Sequence, residues 1–293
     1  MQLVQLQKAQ DRFREHGLRV AAITYDSPAI LSEFANLHQI NYALMSDPQS
    51  EIIRSFGILD TDESPNNLPD FAKKGIALPG YFFVDRSGIV KEKFFGEAYY
   101  DRFTPNNVIA KLFPELLETS VPSVTAPHLG LALRQSDRDV VIGSRVTLAA
   151  EFSLPKGMHV YAHGAAKYKP TELLIQSIDD TPVKPKMLKA SRYPQAQEIF
   201  LPAIKERVPV YKGHFQIEQD LIVLPPREVQ QKLNSADFKS NDVIKVTVRG
   251  VVRYQACDAT TCYLPTEVPV TFELNMHQND FNRASESLQE KRH

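Results

Sequence analysis

The chain has 293 residues, about twice the length of a common domain, and is 43% hydrophobic, so two apolar cores are expected. A formal net charge of −1 without a long basic run argues against nucleic acid or an anionic membrane as partner. No run of about 18 apolar residues occurs, so no membrane insertion by a helix is expected, and Met1-Gln2-Leu3-Val4-Gln5 is too polar to begin a secretory signal.

In chain order, Leu3, Leu6 and Phe13 fall at helical spacing over residues 2–16, and Gly17 is placed to end that helix. Residues 18–25 read as a buried strand. Asp26-Ser27-Pro28 then offers a capping side chain before a first-turn proline. Ser46-Asp47-Pro48 repeats the device before a helix carrying Ile52, Ile53 and Phe56. Residues 81–85 and 89–95 predict a hairpin joined by Arg86-Ser87-Gly88, and Thr104-Pro105 opens a helix reaching about Leu112. Proline, serine and threonine then dominate 118–128, which reads as a linker. Short alternating strands follow, among them 145–152, 242–248 and 268–274, with one short helical candidate at 226–233. This is the pattern of an all-β sandwich. The resulting division is an α/β domain at 1–115, a linker at 116–126, a sandwich at 127–276 and a polar tail at 277–293.

The stretches Gly17-Leu18-Arg19-Val20 through Thr24-Tyr25-Asp26-Ser27-Pro28, Ser46-Asp47-Pro48 and Leu78-Pro79-Gly80-Tyr81-Phe82-Phe83-Val84-Asp85 resemble a thioredoxin-like domain of the peroxiredoxin-related AhpC/TSA branch. The resemblance implies a cis peptide before Pro79, facing an active-site cysteine at the start of the family's first helix. Here no cysteine precedes Cys257, and Met1 falls inside that helix, so the domain as written lacks both a nucleophile and a central strand. A longer native polypeptide is the favoured explanation, and a degenerate scaffold domain is the other. Only a full-length form would be a peroxidase.

Cys257 and Cys262 are the only cysteines. With four residues between them and strand-like flanks, they can close a hairpin loop within disulfide reach. The spacing alone leaves a structural disulfide, a redox pair or two free thiols open; a zinc site would want two more ligands. Tyr254-Gln255-Ala256-Cys257, with Cys262-Tyr263-Leu264-Pro265, resembles the active-site hairpin of the DsbD N-terminal domain family, an immunoglobulin-like periplasmic module of a thiol:disulfide interchange protein. Leu154-Pro155-Lys156-Gly157-Met158-His159-Val160-Tyr161 resembles that family's Pro-x-Gly-x-His-x-Tyr segment.

That resemblance implies that Cys257 and Cys262 are catalytic, exchanging disulfides with a thioredoxin-like domain or protein, in cis or in trans, and with substrate proteins. It implies an aromatic cap, for which Tyr211 in Val210-Tyr211-Lys212-Gly213 is the candidate, flanking roles for Tyr254 and Pro265, and a periplasmic location. No cofactor or metal is expected. His159 and His163 share one face of a strand but lack a third ligand, and read as satisfied or surface histidines. The competing reading is a non-catalytic scaffold whose disulfide is structural.

Overall fold

The computed structural model describes residues 2–59, 77–96, 101–165, 167–201, 205–235, 237–239 and 242–278. They fall into two compact units, one within residues 1–109 and one of residues 110–278.

In the first unit, α1 (Gln2–Glu15) buries Leu6, Ala9 and Phe13 on one face. Gly17 closes it at φ 73°, a left-handed conformation open to glycine, and the Leu18 N–H reaches back to the Phe13 carbonyl at 2.9 Å. The strands β1 (Ala21–Thr24) and β2 (Ala43–Ser46) pair in parallel around α2 (Pro28–His38). Ser27 Oγ caps that helix by accepting the Ile30 N–H at 3.4 Å. For α3 (Glu51–Ser55), the Asp47 carboxylate takes the N–H groups of Glu51 and Ile53 at 2.9 Å each. A hairpin of β3 (Gly80–Val84) and β4 (Val90–Phe95) turns on Gly88, while Asp85 Oδ1 accepts the Ser87 and Ile89 N–H groups. The short β5 (Arg102–Phe103) follows, then α4 (Pro105–Leu112), whose last residues from Ala110 belong to the second unit.

Among the described residues, β1–β2 and β3–β4 form separate two-stranded sheets. No cis peptide bond occurs among them, so the bond before Pro79 is trans. The cis expectation is not met; an X–Pro bond favours trans by about 0.5–1 kcal/mol unless its surroundings impose the other isomer.

The second unit consists of β6 (Glu118–Val124), β7 (Gly130–Gln135), β8 (Asp139–Val140), β9 (Ser144–Ser153), β10 (His159–Tyr161), β11 (Glu172–Ile178), β12 (Thr181–Pro182), β13 (Gln197–Leu201), β14 (Glu206–Tyr211), β15 (His214–Ile222), α5 (Arg227–Leu233), β16 (Ile244–Tyr254), β17 (Ala256–Cys257) and β18 (Thr266–Met276). One sheet has the order β12-β11-β16-β18-β8, a second β15-β9-β7-β6 and a third β13-β14-β10-β17. Along β16 and β18 every second residue is buried, so Val246, Val248, Val252, Phe272 and Leu274 enter one core with Leu148, Ala150 and Phe152 of β9.

The stretch read as a linker is a strand instead. β6 pairs antiparallel with β7 at the edge of its sheet, with two register shifts. An edge tolerates Pro122 because one side of the strand needs no ladder partner, so its proline and polar content did not betray it. The expected tail also begins later than position 277. His277 donates its N–H to Val140 O at 2.8 Å and places Nε2 2.7 Å from Asp139 Oδ1; residues 279–293 lie outside the described residues.

Candidate functional site

β16 runs for eleven residues along β18 before the chain jogs at Gln255 into β17. That jog moves Ala256 and Cys257 from the central sheet to the edge of the four-stranded one, where they pair with β10. The chain then reverses through Asp258-Ala259-Thr260-Thr261. Asp258 N donates to Thr261 O at 2.9 Å and Tyr263 N to Ala256 O at 2.9 Å. These two bonds flank the Cys257–Cys262 bridge, making the cysteines a non-hydrogen-bonded cross-strand pair. Such pairs bring antiparallel backbones closest. Here the Cα atoms are 4.0 Å apart and the sulfurs are bonded. Both cysteines are thereby engaged, so the two-free-thiols alternative does not describe this state.

The two sulfurs differ in access. Cys257 is 0% exposed and packs with Tyr161, Ala165, Val208 and Val210, whereas Cys262 lies on the surface. Leu264, two residues beyond, is 86% exposed.

The turn is held by charge. Asp258 Oδ1 accepts the N–H groups of Thr260 and Thr261 at 2.8 Å each, and Oδ2 accepts the Tyr263 hydroxyl at 2.9 Å. Donation by the Thr260 N–H, then by the Thr261 N–H and the two side-chain hydroxyls, pulls the carboxyl down to about 2, so it is an anion at every physiological pH. The same bond pushes the Tyr263 hydroxyl up from its ordinary value. On the far side the Tyr263 ring stacks on His128, with centroids 3.7 Å apart. Tyr254 is fully buried and donates its hydroxyl to Pro127 O at 2.8 Å; burial pushes it up to about 12. Tyr254 is thus an anchor beneath the hairpin. Pro265 lies exposed between Leu264 and β18.

Tyr211 is not an aromatic cover for the disulfide. Along β14, Val208 and Val210 face the Cys257 cluster, so the alternation of a strand turns Tyr211 into the main core. There its ring meets Phe215 at 4.9 Å and its hydroxyl accepts the His163 N–H at 3.2 Å. The aromatic that reaches the sulfurs is Tyr161, whose hydroxyl donates to Cys262 Sγ at 3.3 Å. Tyr168 stacks against it at 4.3 Å. Tyr168 comes from the segment after β10, which is tied by Ala165 N to Ala162 O and by Thr171 N and Oγ1 to Tyr161 O.

The two histidines part company. His163 is exposed and stacks on Tyr193 at 4.1 Å. His159 is buried in β10 directly opposite Cys257, and its Nε2 has no hydrogen-bond partner. The reading of His159 as a satisfied or surface residue is therefore corrected. Burial first, and the Lys212 charge next, hold its pKa below the ordinary value, against a smaller opposing pull from Asp258. The sequence did carry a signal for His159 and Tyr161, since residues two apart on one strand share a face. It did not say which strand lay alongside. Among the described residues no group of three or more histidines, cysteines, aspartates or glutamates is placed to hold a metal ion.

Residues 133–274 match the family model described as Thiol:disulfide interchange protein DsbD, N-terminal, and residues 1–93 match that of the AhpC/TSA family. No curated protein sequence matches the chain. Among solved structures, the N-terminal periplasmic domain of ScsB from Proteus mirabilis is 14% identical, with a TM-score of 0.32. The match covers 60% of this chain and 56% of that one, so the chain spans little more than half of that relative's length. The DsbD n-terminal domain of Neisseria meningitidis in its reduced form is 13% identical, with a TM-score of 0.28, over 45% of this chain and 82% of that one. The hairpin of Cys257 and Cys262 thus lies inside a segment that matches the DsbD N-terminal family model, preceded by one that matches the AhpC/TSA model.

Proposed function

We propose that this chain is a thiol–disulfide oxidoreductase module in which Cys257 and Cys262 pass electrons between a thioredoxin-like partner and substrate disulfides. The observation that carries the reading is the unequal burial of one cross-strand disulfide. Exchange begins when a thiolate attacks a sulfur in line with the S–S bond, so the accessible sulfur selects itself. Cys262 is at the surface and Cys257 is sealed, which supports Cys262 as the sulfur of the mixed disulfide and Cys257 as the leaving or resolving thiol. The exposed Leu264 offers an incoming partner an apolar contact beside that sulfur. The Tyr161 hydroxyl is placed to stabilise a Cys262 thiolate by donating to it.

In this reading residues 110–278 form the immunoglobulin-like electron-transfer domain and the amino-terminal unit is thioredoxin-like but carries no cysteine of its own. The match to the DsbD N-terminal family model supports an extracytoplasmic setting, where a disulfide can form. Among the described residues no helix is long and apolar enough to cross a membrane.

The reduction potential of the pair tests the proposal, by equilibration in glutathione buffers and thiol trapping. A value between about −150 and −280 mV is expected, the range of exchange-active disulfides. A value well below about −300 mV marks a structural bond and leaves a non-catalytic scaffold.

A further inference from the structure

Beside the cysteines lies a buried titratable group for which electron exchange, as described so far, has no use. His159 is 5% exposed and its Nε2 is unpartnered. A buried polar atom without a hydrogen bond is costly, and native proteins keep few of them. Its location is specific. His159 and Cys257 are direct antiparallel partners across β10 and β17, and such partners share a face with Cβ atoms about 4.5–5.5 Å apart. Tyr161, two residues further on the same strand, contacts Cys262 Sγ and meets the His159 ring edge-on at 6.2 Å. His159, Tyr161 and both sulfurs therefore line one face. The charged groups that act on the imidazole are Lys212, which disfavours its protonation, and Asp258, which favours it.

We propose that His159 is the general base for Cys257, its Nε2 taking the thiol proton as that sulfur attacks Cys262. The inference rests on the exchange reading and adds a residue to it. In the forward cycle the Cys262 thiolate attacks a substrate disulfide, forming a mixed disulfide and releasing one substrate thiolate. Cys257 then attacks Cys262 Sγ. The new Cys257–Cys262 bond forms, the bond from Cys262 to substrate breaks, and the second substrate thiolate leaves. The substrate disulfide gains the two electrons that the dithiol loses, and the Cys257 proton resides on His159 until solvent removes it. A thiol sealed from water ionises poorly by itself, so a neutral base on its own face answers a need of this geometry. In the reverse direction the imidazolium returns the proton to the departing Cys257 thiolate.

The reduced protein and 5,5′-dithiobis(2-nitrobenzoate) separate the two steps, because each releases one thionitrobenzoate. Attack by Cys262 gives the first and closure by Cys257 gives the second. His159→Gln is expected to leave the first rate within about twofold and to slow closure by about 100-fold near pH 6.5, the usual scale of a general base. The deficit should shrink as pH rises, because the fraction of Cys257 that is ionised without a base grows with pH. His159→Ala provides a second variant, with closure partly restored by added imidazole. In the wild type the closure rate should rise with pH through a limb below neutrality, a readout independent of any variant's folding. Closure that is unaffected in both variants, or slowed by one factor at every pH, overturns the base role. A wild-type protein that shows no first release overturns the exchange reading and this inference with it.

Discussion

Asp258 shows how one side chain sets a turn. It sits between a buried sulfur and an exposed one, and four donors from Thr260, Thr261 and Tyr263 converge on its carboxylate. Its folded pKa is depressed to about 2. A depressed carboxylate contributes stability above its unfolded pKa and loses that contribution as pH falls through the folded value. The hairpin should therefore keep its hydrogen bonds at pH 5 and lose them between about pH 4 and 2. A carbon-detected NMR titration of the Asp258 carboxyl would read this directly; a midpoint near the ordinary aspartate value would mean the four donors do not hold the turn in solution. Because that anion stays charged throughout the working pH range, it is a constant background for His159 rather than a second switch.

At the scale of elements, β10 matters most. It is three residues long, yet it pairs with β14 on one side and β17 on the other, tying the disulfide edge to the rest of its sheet. β16 carries the hairpin on its end and is held between β11 and β18. Gly250 lies where β16 faces the register shift after Ile175. A Cβ there would stand 2.5 Å from Leu174 O, inside van der Waals contact with backbone that cannot step aside. Gly250→Ala should thus destabilise the unit by about 1–3 kcal/mol, the cost of forcing extra volume into a packed site. Urea unfolding followed by tyrosine fluorescence would measure it, and an unchanged midpoint would show that β11 adapts.

For the whole molecule, the second unit carries its own core and one end of α4. Ala110 is buried with Leu117 and Ala149, and Lys111 Nζ meets Asp220 Oδ2 at 2.6 Å, both side chains almost out of solvent. Burial pushes the Lys111 pKa down, against the pull of Asp220. Residues 104–278 expressed alone should then unfold in a single cooperative transition and retain the Cys257–Cys262 bond. Calorimetry agreeing with the van't Hoff enthalpy would support this; a broad or aggregating transition would show that the sandwich depends on what precedes it.

By itself the sequence determined what local chemistry can dictate. Capping side chains and Gly17 marked the helices, Asp85 and Gly88 the hairpin, and alternation the long strands β16 and β18 of the sandwich. Cys257 and Cys262 stood out because four intervening residues between strand-like flanks suit a cross-strand bridge. The tertiary structure decided everything that depends on which strand lies beside which. Pro122 looked like linker because an edge strand makes few demands on composition. Tyr211 was the cap candidate through family resemblance alone, and one step along β14 turns a side chain from the disulfide to the core. His159 pairs with Cys257 across 98 residues of chain, a contact made by register alone. Such non-local pairing comes from the summed burial of two whole sheet faces, so no window of sequence around either residue contains it.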